Sequence, residues 1–289
     1  MTECSHIETC TWHEWGALRT ADGFTSRTYV GNETCEALLP DPRLALDLLE
    51  PVLAADSSIT LVTPFLTDVG LCRALDLVEF LAPRIPPFEV VCNDWGLCAR
   101  LGTHAGCAPV IGRLLVGQHR DPRWHQTFDV ALQCSHERNV ARRGGAVARL
   151  TYRRPSEALA LQLQRCAIDQ DDLLAYVRKM GVARYEIDNL PQGLVLTPRP
   201  DVGVTMHVPS VFVSAARDCR IPTGDRIPLP TCGTETCPPP TTVWRHPSFP
   251  GPLFHYCNGI YAIGPHAPDD LARPGIDRIV RCRRFAALG

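Results

Sequence analysis

The sequence predicts an α/β fold in which a parallel sheet closes into a TIM-barrel-like (β/α) barrel. Continuous apolar segments alternate with amphipathic ones, as in chains whose parallel strands are joined by helical crossovers. No predicted strand is followed by a Gly-x-Gly-x-x-Gly turn, which favours a barrel over a dinucleotide-binding sheet. A length of 289 residues with 45% hydrophobic content is sufficient for one large core.

The predicted elements follow one another along the chain. Apolar, β-branched runs predict strands at 27–31, 59–63, 88–92, 114–116, 183–187, 202–208 and 211–214. Helical spacing predicts a helix around Leu48 that Pro51 kinks, a helix capped by Asp68, and a helix from about Leu97. Two further helices are expected over 159–166 and 171–180. We find no internal repeat, and we expect an N-terminal tail over 1–26 and a single barrel domain over 27–289.

Polar residues at the ends of predicted strands define the expected working face. In a barrel the carboxyl ends of all strands lie on one side, and functional residues concentrate there. The residues expected at this face are Thr63, Asn93, Asp94, Asp188, Asn189 and the loop after Ser214.

Charge and hydropathy limit the partners and the compartment. A net charge of −2 gives no overall basic surface for nucleic acid or an anionic membrane. Two local basic runs, 138–154 and 278–284, are expected to be a solvated helix face and a frayed tail. The first 18 residues contain no apolar signal region, and no apolar run is long enough to span a bilayer. We therefore expect a cytoplasmic protein with no membrane span.

A cysteine-rich segment near the end of the chain is the strongest chemical signal. Residues 216–256 contain nine prolines, which predicts an irregular loop. The cysteines follow the spacing Cys219-x12-Cys232-x4-Cys237-x19-Cys257. Cytoplasmic thiols stay reduced, so this cluster indicates a metal site of zinc or iron–sulfur type instead of disulfides. Only one close pair is present, which favours a cluster over a zinc ribbon; unrelated buried thiols remain the alternative.

The remaining cysteines and the hydrolytic motifs carry less information. Cys72 and Cys166 are expected to be core thiols inside helices. A second site at Cys92, Cys98 and Cys107 is an open alternative. No His-Glu-x-x-His, Gly-x-Ser-x-Gly or P-loop motif occurs, so these motifs identify no catalytic residue; a Cys–His pair stays open.

Several short blocks, taken in order, resemble one known family. These are Tyr29 to Cys35 (YVGNETC), EVVCNDWG at 89–96, RYEIDN at 184–189, SAARDC at 214–219 and NGI at 258–260. In order and spacing they are similar to peptidase family U32, the collagenase-like proteases. The nearest likeness is to the small ubiquinone-biosynthesis relatives that lack the family's extra C-terminal domain.

The resemblance implies a barrel that carries a cysteine loop over 214–260 and a [4Fe-4S] cluster. Carried over by position, the ligands are Cys35, Cys219, Cys232 and Cys237, with zinc as the alternative metal. Proximity in the sequence alone would select Cys257 as the fourth ligand in place of Cys35. The resemblance reverses this order and leaves Cys257 as a reserve ligand. Glu36-Ala37-Leu38 replaces the basic residues that follow the early cysteine in close relatives.

The resemblance also implies a function. It suggests oxygen-independent hydroxylation of a small-molecule substrate, performed with a second U32-family protein in a heterodimer. Two alternatives stay open: a U32-type peptidase or other hydrolase, and a non-catalytic binding subunit whose cysteines hold a structural metal.

Overall fold

The parallel barrel predicted from the sequence is present in the computed structural model. The structure describes residues 7–21, 23–102, 104–120, 135–141, 147–216, 219–220, 226–227, 241–244, 251–264 and 275–286. Its strands are β1 (Glu8–His13), β2 (Arg27–Gly31), β3 (Ser58–Val62), β4 (Phe88–Cys92), β5 (Cys107–Ile111), β6 (Ser135–Ala141), β7 (Val147–Arg153), β8 (Arg184–Asp188), β9 (Gly203–Val208), β10 (Ser210–Ala215), β11 (Cys219–Arg220), β12 (Arg226–Ile227), β13 (Thr241–Trp244), β14 (Leu253–Tyr256), β15 (Gly259–Ile263) and β16 (Arg278–Cys282). Its helices are α1 (Pro42–Ala54), α2 (Asp68–Leu81), α3 (Trp95–Leu101), α4 (Glu157–Gln164), α5 (Asp171–Arg178) and α6 (Arg283–Ala286), with short 3-10 helices at Trp15–Thr20, Glu36–Leu38 and Ala167–Asp169.

Eight parallel strands close the barrel in the order β1-β2-β3-β4-β5-β8-β9-β16. The ring is completed by β16, which pairs with β9 on one side and with β1 on the other. Because every pair is parallel, the carboxyl ends of all eight strands lie on one rim. We call this rim the barrel mouth; it is formed by the ends of the strands at His13, Gly31, Val62, Cys92, Ile111, Asp188, Val208 and Cys282.

Three barrel strands lie where the sequence did not predict them: β1, β5 and β16. β1 falls inside the segment predicted as a tail, because its alternating ETCTWH pattern is more polar than the apolar runs used as strand signals. Its Cys10 and Trp12 are buried. The strand expected at 114–116 is instead β5, which contains Pro109, a residue that usually interrupts a sheet.

Side-chain caps fix where the first three helices begin. The Asp41 carboxylate accepts the backbone N–H of Arg43 and begins α1, which continues through Pro51 to Ala54. The cap of α2 is Thr67, one residue before the Asp68 expected from the sequence. Asp94 caps α3. Among the described residues, no helix has the length and apolar character needed to cross a membrane.

An ionic network fills the end of the barrel opposite the mouth. Arg278 donates to both carboxylate oxygens of Glu89, at 2.6 and 3.2 Å, and to Glu8 at 2.7 Å. It also donates to the Tyr29 hydroxyl at 3.1 Å. Since β16 and β4 are not neighbours in the barrel, these bonds cross its interior. Arg278 is therefore a buried barrel residue, and the frayed basic tail expected at 278–284 is wrong at this position.

A four-stranded antiparallel sheet, β10-β15-β14-β13, packs against the mouth. It corrects the irregular loop expected over 216–256, because β13 (TTVW) and β14 (LFHY) are rich in β-branched and aromatic residues and lie between the prolines. The two-residue strands β11 and β12 pair in the same region. The basic run at 138–154 falls on the β6–β7 hairpin, not on the helix expected there.

Candidate functional site

Three of the polar residues expected at the mouth form hydrogen bonds to backbone groups. The Thr63 hydroxyl donates to the Val91 carbonyl at 2.8 Å. The Asn93 side chain donates to the Thr63 carbonyl at 2.8 Å and accepts the Leu114 N–H at 3.2 Å. Asp94 is occupied as the cap of α3. Thr63 and Asn93 thus fasten neighbouring strand ends to one another, whereas Asp94 begins α3.

Four charged side chains close the mouth, and we call them the mouth plug: Arg113, Glu33, Asp188 and Arg120. Arg113 follows β5 and is fully buried. Its guanidinium donates to the two Glu33 oxygens at 2.8 and 2.5 Å and to Asp188 at 2.6 Å. Arg120 is paired with the second oxygen of Asp188. Two cations therefore balance two carboxylates in a water-poor setting.

Burial and charge set the protonation of the plug. Burial alone would raise the pKa of Asp188, but the guanidiniums of Arg113 and Arg120 outweigh it and hold that pKa below its usual 3.8. The Tyr261 hydroxyl, from β15, donates to Glu33 at 2.9 Å. Burial, aided by the Glu33 carboxylate, raises the pKa of Tyr261 well above 10, so this phenol stays protonated. The plug is a fixed ionic network at neutral pH.

Aromatic rings and the covering sheet shield the plug from water. The rings of Trp12 and Tyr261 each lie with their centres 5.7 Å from the Arg113 guanidinium carbon. Arg113 also donates to the Ser210 carbonyl on β10 at 2.9 Å. The backbone N–H of Phe212 donates to Asp188 at 3.2 Å. The antiparallel sheet is thus bonded to the mouth through both carboxylates and Arg113.

A second buried group at the mouth contains two cysteines. Cys35 lies four residues after β2 and is 2% exposed. Cys257 lies in the hairpin turn between β14 and β15 and is 4% exposed. Asn32 connects them, because its side-chain oxygen accepts the Cys35 N–H at 2.8 Å and its amide donates to the Cys257 sulfur at 3.3 Å. The amide also donates to Glu14 at 3.0 Å.

A small cavity lies beside this group. Its volume is about 10 Å³, room for roughly one water molecule. It is lined by Trp12, Glu14, Asn32, Glu33, Tyr256, Tyr261, Cys282 and Phe285.

The structure places only part of the predicted ligand set. Cys35 is at the mouth, where the sequence predicted it. The backbone of Cys219 begins β11, three residues after Ala216, whose N–H donates to the Asn258 carbonyl at 2.9 Å in the Cys257 hairpin. Cys232 and Cys237 lie outside the described residues. Within the described part, no three His, Cys, Asp or Glu side chains form a group that could hold a metal ion.

No family model, curated protein or solved structure matches this chain. The likeness to family U32 thus stays a prediction based on the motifs quoted above.

The other cysteines have separate environments. Cys72 is exposed, which corrects its expected place in the core, whereas Cys166 is buried as predicted. Cys92 and Cys98 are buried hydrogen-bonded neighbours, and this bond, followed by burial, raises the pKa of Cys92. Burial raises the pKa of Cys107 to about 11. The alternative second metal site at these three cysteines finds no support among the described residues.

Sequence reasoning placed Asp188 at the working face but missed the other three residues of the mouth plug. Glu33 lies within a quoted motif, but the motif was used for its cysteine. Arg113 went unnoticed because the strand before it was predicted several residues too late. A charged residue two positions after the end of a buried strand is the signal that identifies both.

Proposed function

We propose that this chain is an iron–sulfur protein that supports oxygen-independent hydroxylation of a small molecule, together with a paralogous partner. The proposed ligands of a [4Fe-4S] cluster are Cys35, Cys219, Cys232 and Cys237. One observation carries the proposal. Cys35 is buried at the barrel mouth next to the β14–β15 hairpin, and Ala216, at the start of the cysteine-bearing segment, is hydrogen-bonded to that hairpin. The reaction and the partner rest on the resemblance to family U32.

The described residues fit such a group. Cys35 belongs to an apolar cluster with Cys257, Tyr256, Tyr261 and Phe285, a shielded setting that suits a thiolate-bound cluster. Cys219 follows Ala216 by three residues, so it lies within about 11 Å of the residue bonded to the Cys257 hairpin. Both features support the inclusion of an early and a late cysteine in one ligand set.

The chain's own residues set the conditions at the mouth. When bound, the cluster supplies one-electron chemistry. The mouth plug closes the lumen, because Arg113 and its carboxylates fill the opening with paired charge. The aromatic side chains of Tyr256, Tyr261 and Phe285 limit the water here, because the cavity that they help to line has room for roughly one water molecule.

Anaerobic purification, followed by iron, sulfide and zinc analysis and a visible spectrum, tests the proposal. We expect the iron and sulfide of one [4Fe-4S] cluster per chain, and loss of both in Cys35→Ala. The matched control is Cys166→Ala, another buried cysteine, which should keep its iron. Stoichiometric zinc in a colourless protein would instead support the metal-stapled binding subunit, and absence of both metals would refute a metal site.

Activity separates the remaining alternatives. A hydroxylated product that forms only with a second U32-like protein supports the proposed reaction. Peptide cleavage that persists in the Cys35→Ala variant would instead support the hydrolase.

A further inference from the structure

The side chain of Asn32 forms several hydrogen bonds close to Cys35 and Cys257. It directly follows the last residue of β2 and is 5% exposed. Its side-chain oxygen accepts the N–H groups of Thr34 and Cys35 at 2.9 and 2.8 Å. Its amide nitrogen donates to Glu14 at 3.0 Å and to the Cys257 sulfur at 3.3 Å. Both ends of one amide are therefore engaged, one with the early cysteine and the other with the late hairpin.

The backbone on both sides of this amide is specialised. Gly31 has φ +130°, and an added Cβ there would collide with the Val62 carbonyl oxygen. The chain leaves β2 in a conformation that favours glycine, immediately before Asn32. Cys257 has φ +51°, a left-handed conformation that is uncommon for residues other than glycine. The hairpin thus holds Cys257 in an unfavourable conformation at the point where its sulfur contacts Asn32.

We propose that Asn32 is the positioning residue of the metal site, holding the Cys35 backbone and the Cys257 hairpin in one fixed relation. This inference rests on the proposed function and adds a residue to it. The hairpin matters because Asn258 accepts the N–H of Ala216, three residues before Cys219. Asn32 therefore links the early ligand to the start of the segment that carries the other three.

Asn93 provides a matched control for Asn32. Both are buried asparagines that follow a barrel strand and use both ends of the amide. Asn93, however, bonds to Thr63 and Leu114, which are not proposed ligands. The Asn32 amide makes more hydrogen bonds than the Asn93 amide, so a loss of stability alone does not separate the two roles. A purely structural role predicts that neither alanine variant changes the spectrum or the midpoint potential of the cluster.

The experiment compares Asn32→Ala with Asn93→Ala in the anaerobically purified protein. The measurements are iron and sulfide per chain, the rate of iron loss to a chelator, the midpoint potential and the electron paramagnetic resonance spectrum of the reduced protein. For Asn32→Ala we expect about 10–100-fold faster iron loss and a changed spectrum and potential, the range typical of outer-shell partners. For Asn93→Ala we expect the wild-type spectrum and potential.

Two variants of Cys257 test the link from its other end and remain informative should Asn32→Ala not fold. Cys257→Ala removes one of the two acceptors of the Asn32 amide, and we expect it to accelerate iron loss as Asn32→Ala does. Cys257→Ser keeps an acceptor, and we expect it to retain the cluster. Complete loss of iron in Cys257→Ser, as in Cys35→Ala, would make Cys257 a ligand and overturn the positioning role.

The outcomes separate this inference from the proposed function. A wild-type protein without iron refutes the proposed function, and the inference with it. A wild-type protein with a cluster, and equal behaviour of Asn32→Ala and Asn93→Ala in spectrum, potential and iron loss, overturns the inference alone.

Discussion

Arg113→Met is the perturbation whose effect follows most directly from the structure. The fully buried guanidinium makes two bonds to Glu33, one to Asp188 and one to the Ser210 carbonyl. Methionine fills a similar volume but leaves the charges of both carboxylates buried with fewer hydrogen-bond and ion-pair partners. Glu33 keeps only the Tyr261 hydroxyl among these partners, while Asp188 keeps Arg120. Removing one partner of such a buried network costs about 3–5 kcal/mol of unfolding free energy.

The same variant has a defined pH dependence. The wild-type pKa of Asp188 lies below its ordinary value because Arg113 and Arg120 outweigh burial. Its ionised form therefore stabilises the fold at pH values above the unfolded pKa, and this contribution is lost as the pH falls through the folded pKa. Without Arg113 the folded pKa rises. The difference in unfolding free energy between wild type and variant should accordingly be largest near neutral pH and shrink towards acid pH.

Urea unfolding followed by tryptophan fluorescence, at neutral and acid pH, measures both effects. The control is Arg178→Met, because Arg178 forms an ion pair with Asp201 in which the side chains are 38% and 63% exposed. Such a surface pair contributes less than about 1 kcal/mol. A loss in Arg113→Met no greater than that of the control, or a difference that grows towards acid pH, would refute the reasoning.

Two further predictions concern the barrel and its thiols. Gly31→Ala should lower the unfolding free energy by more than about 2 kcal/mol in a urea titration, because a left-handed conformation and a backbone clash combine there; Gly251→Ala, which meets nothing within 4 Å, should have little effect. Iodoacetamide at pH 8, followed by mass spectrometry, should label exposed Cys72 in the native protein and leave Cys10 unlabelled, because burial, followed by the nearby Glu8 charge, raises the pKa of Cys10 to about 12. Equal labelling of the two cysteines before unfolding would contradict this.

The sequence predicted the barrel because its apolar strands carry a local signal. Strands such as Arg27–Gly31 and Phe88–Cys92 lie where their β-branched runs predicted them. β1, β5 and β16 were not predicted, because tertiary pairing overrides a polar alternation in the first strand, a proline in the second and a basic run in the third. The proline-rich composition of residues 216–256 likewise concealed the short strands β13 and β14. Patterns extending over five residues are local, whereas closure of the barrel depends on neighbours far along the chain.

The site was predictable by position but not by contact. Cys35 could be placed at the mouth from its distance after a strand. Its link to Cys257 could not, because Asn32 and Cys257 are 225 residues apart in the chain. Hydrogen bonds of this range depend on how the covering sheet packs on the barrel, and no local pattern encodes that packing.

The two ionic networks determine where chemistry can take place. Arg278 and Glu89 fill one end of the lumen, and the mouth plug fills the other. Buried paired charge excludes a substrate from the space between them, since a ligand there would have to replace bonds to fully desolvated groups. In the proposed function, a ligand or cofactor therefore binds outside the plug, between the mouth and the antiparallel sheet. Asn32 and Cys257 meet in that layer, so the contact between barrel and sheet is the part of the fold on which the proposed function depends.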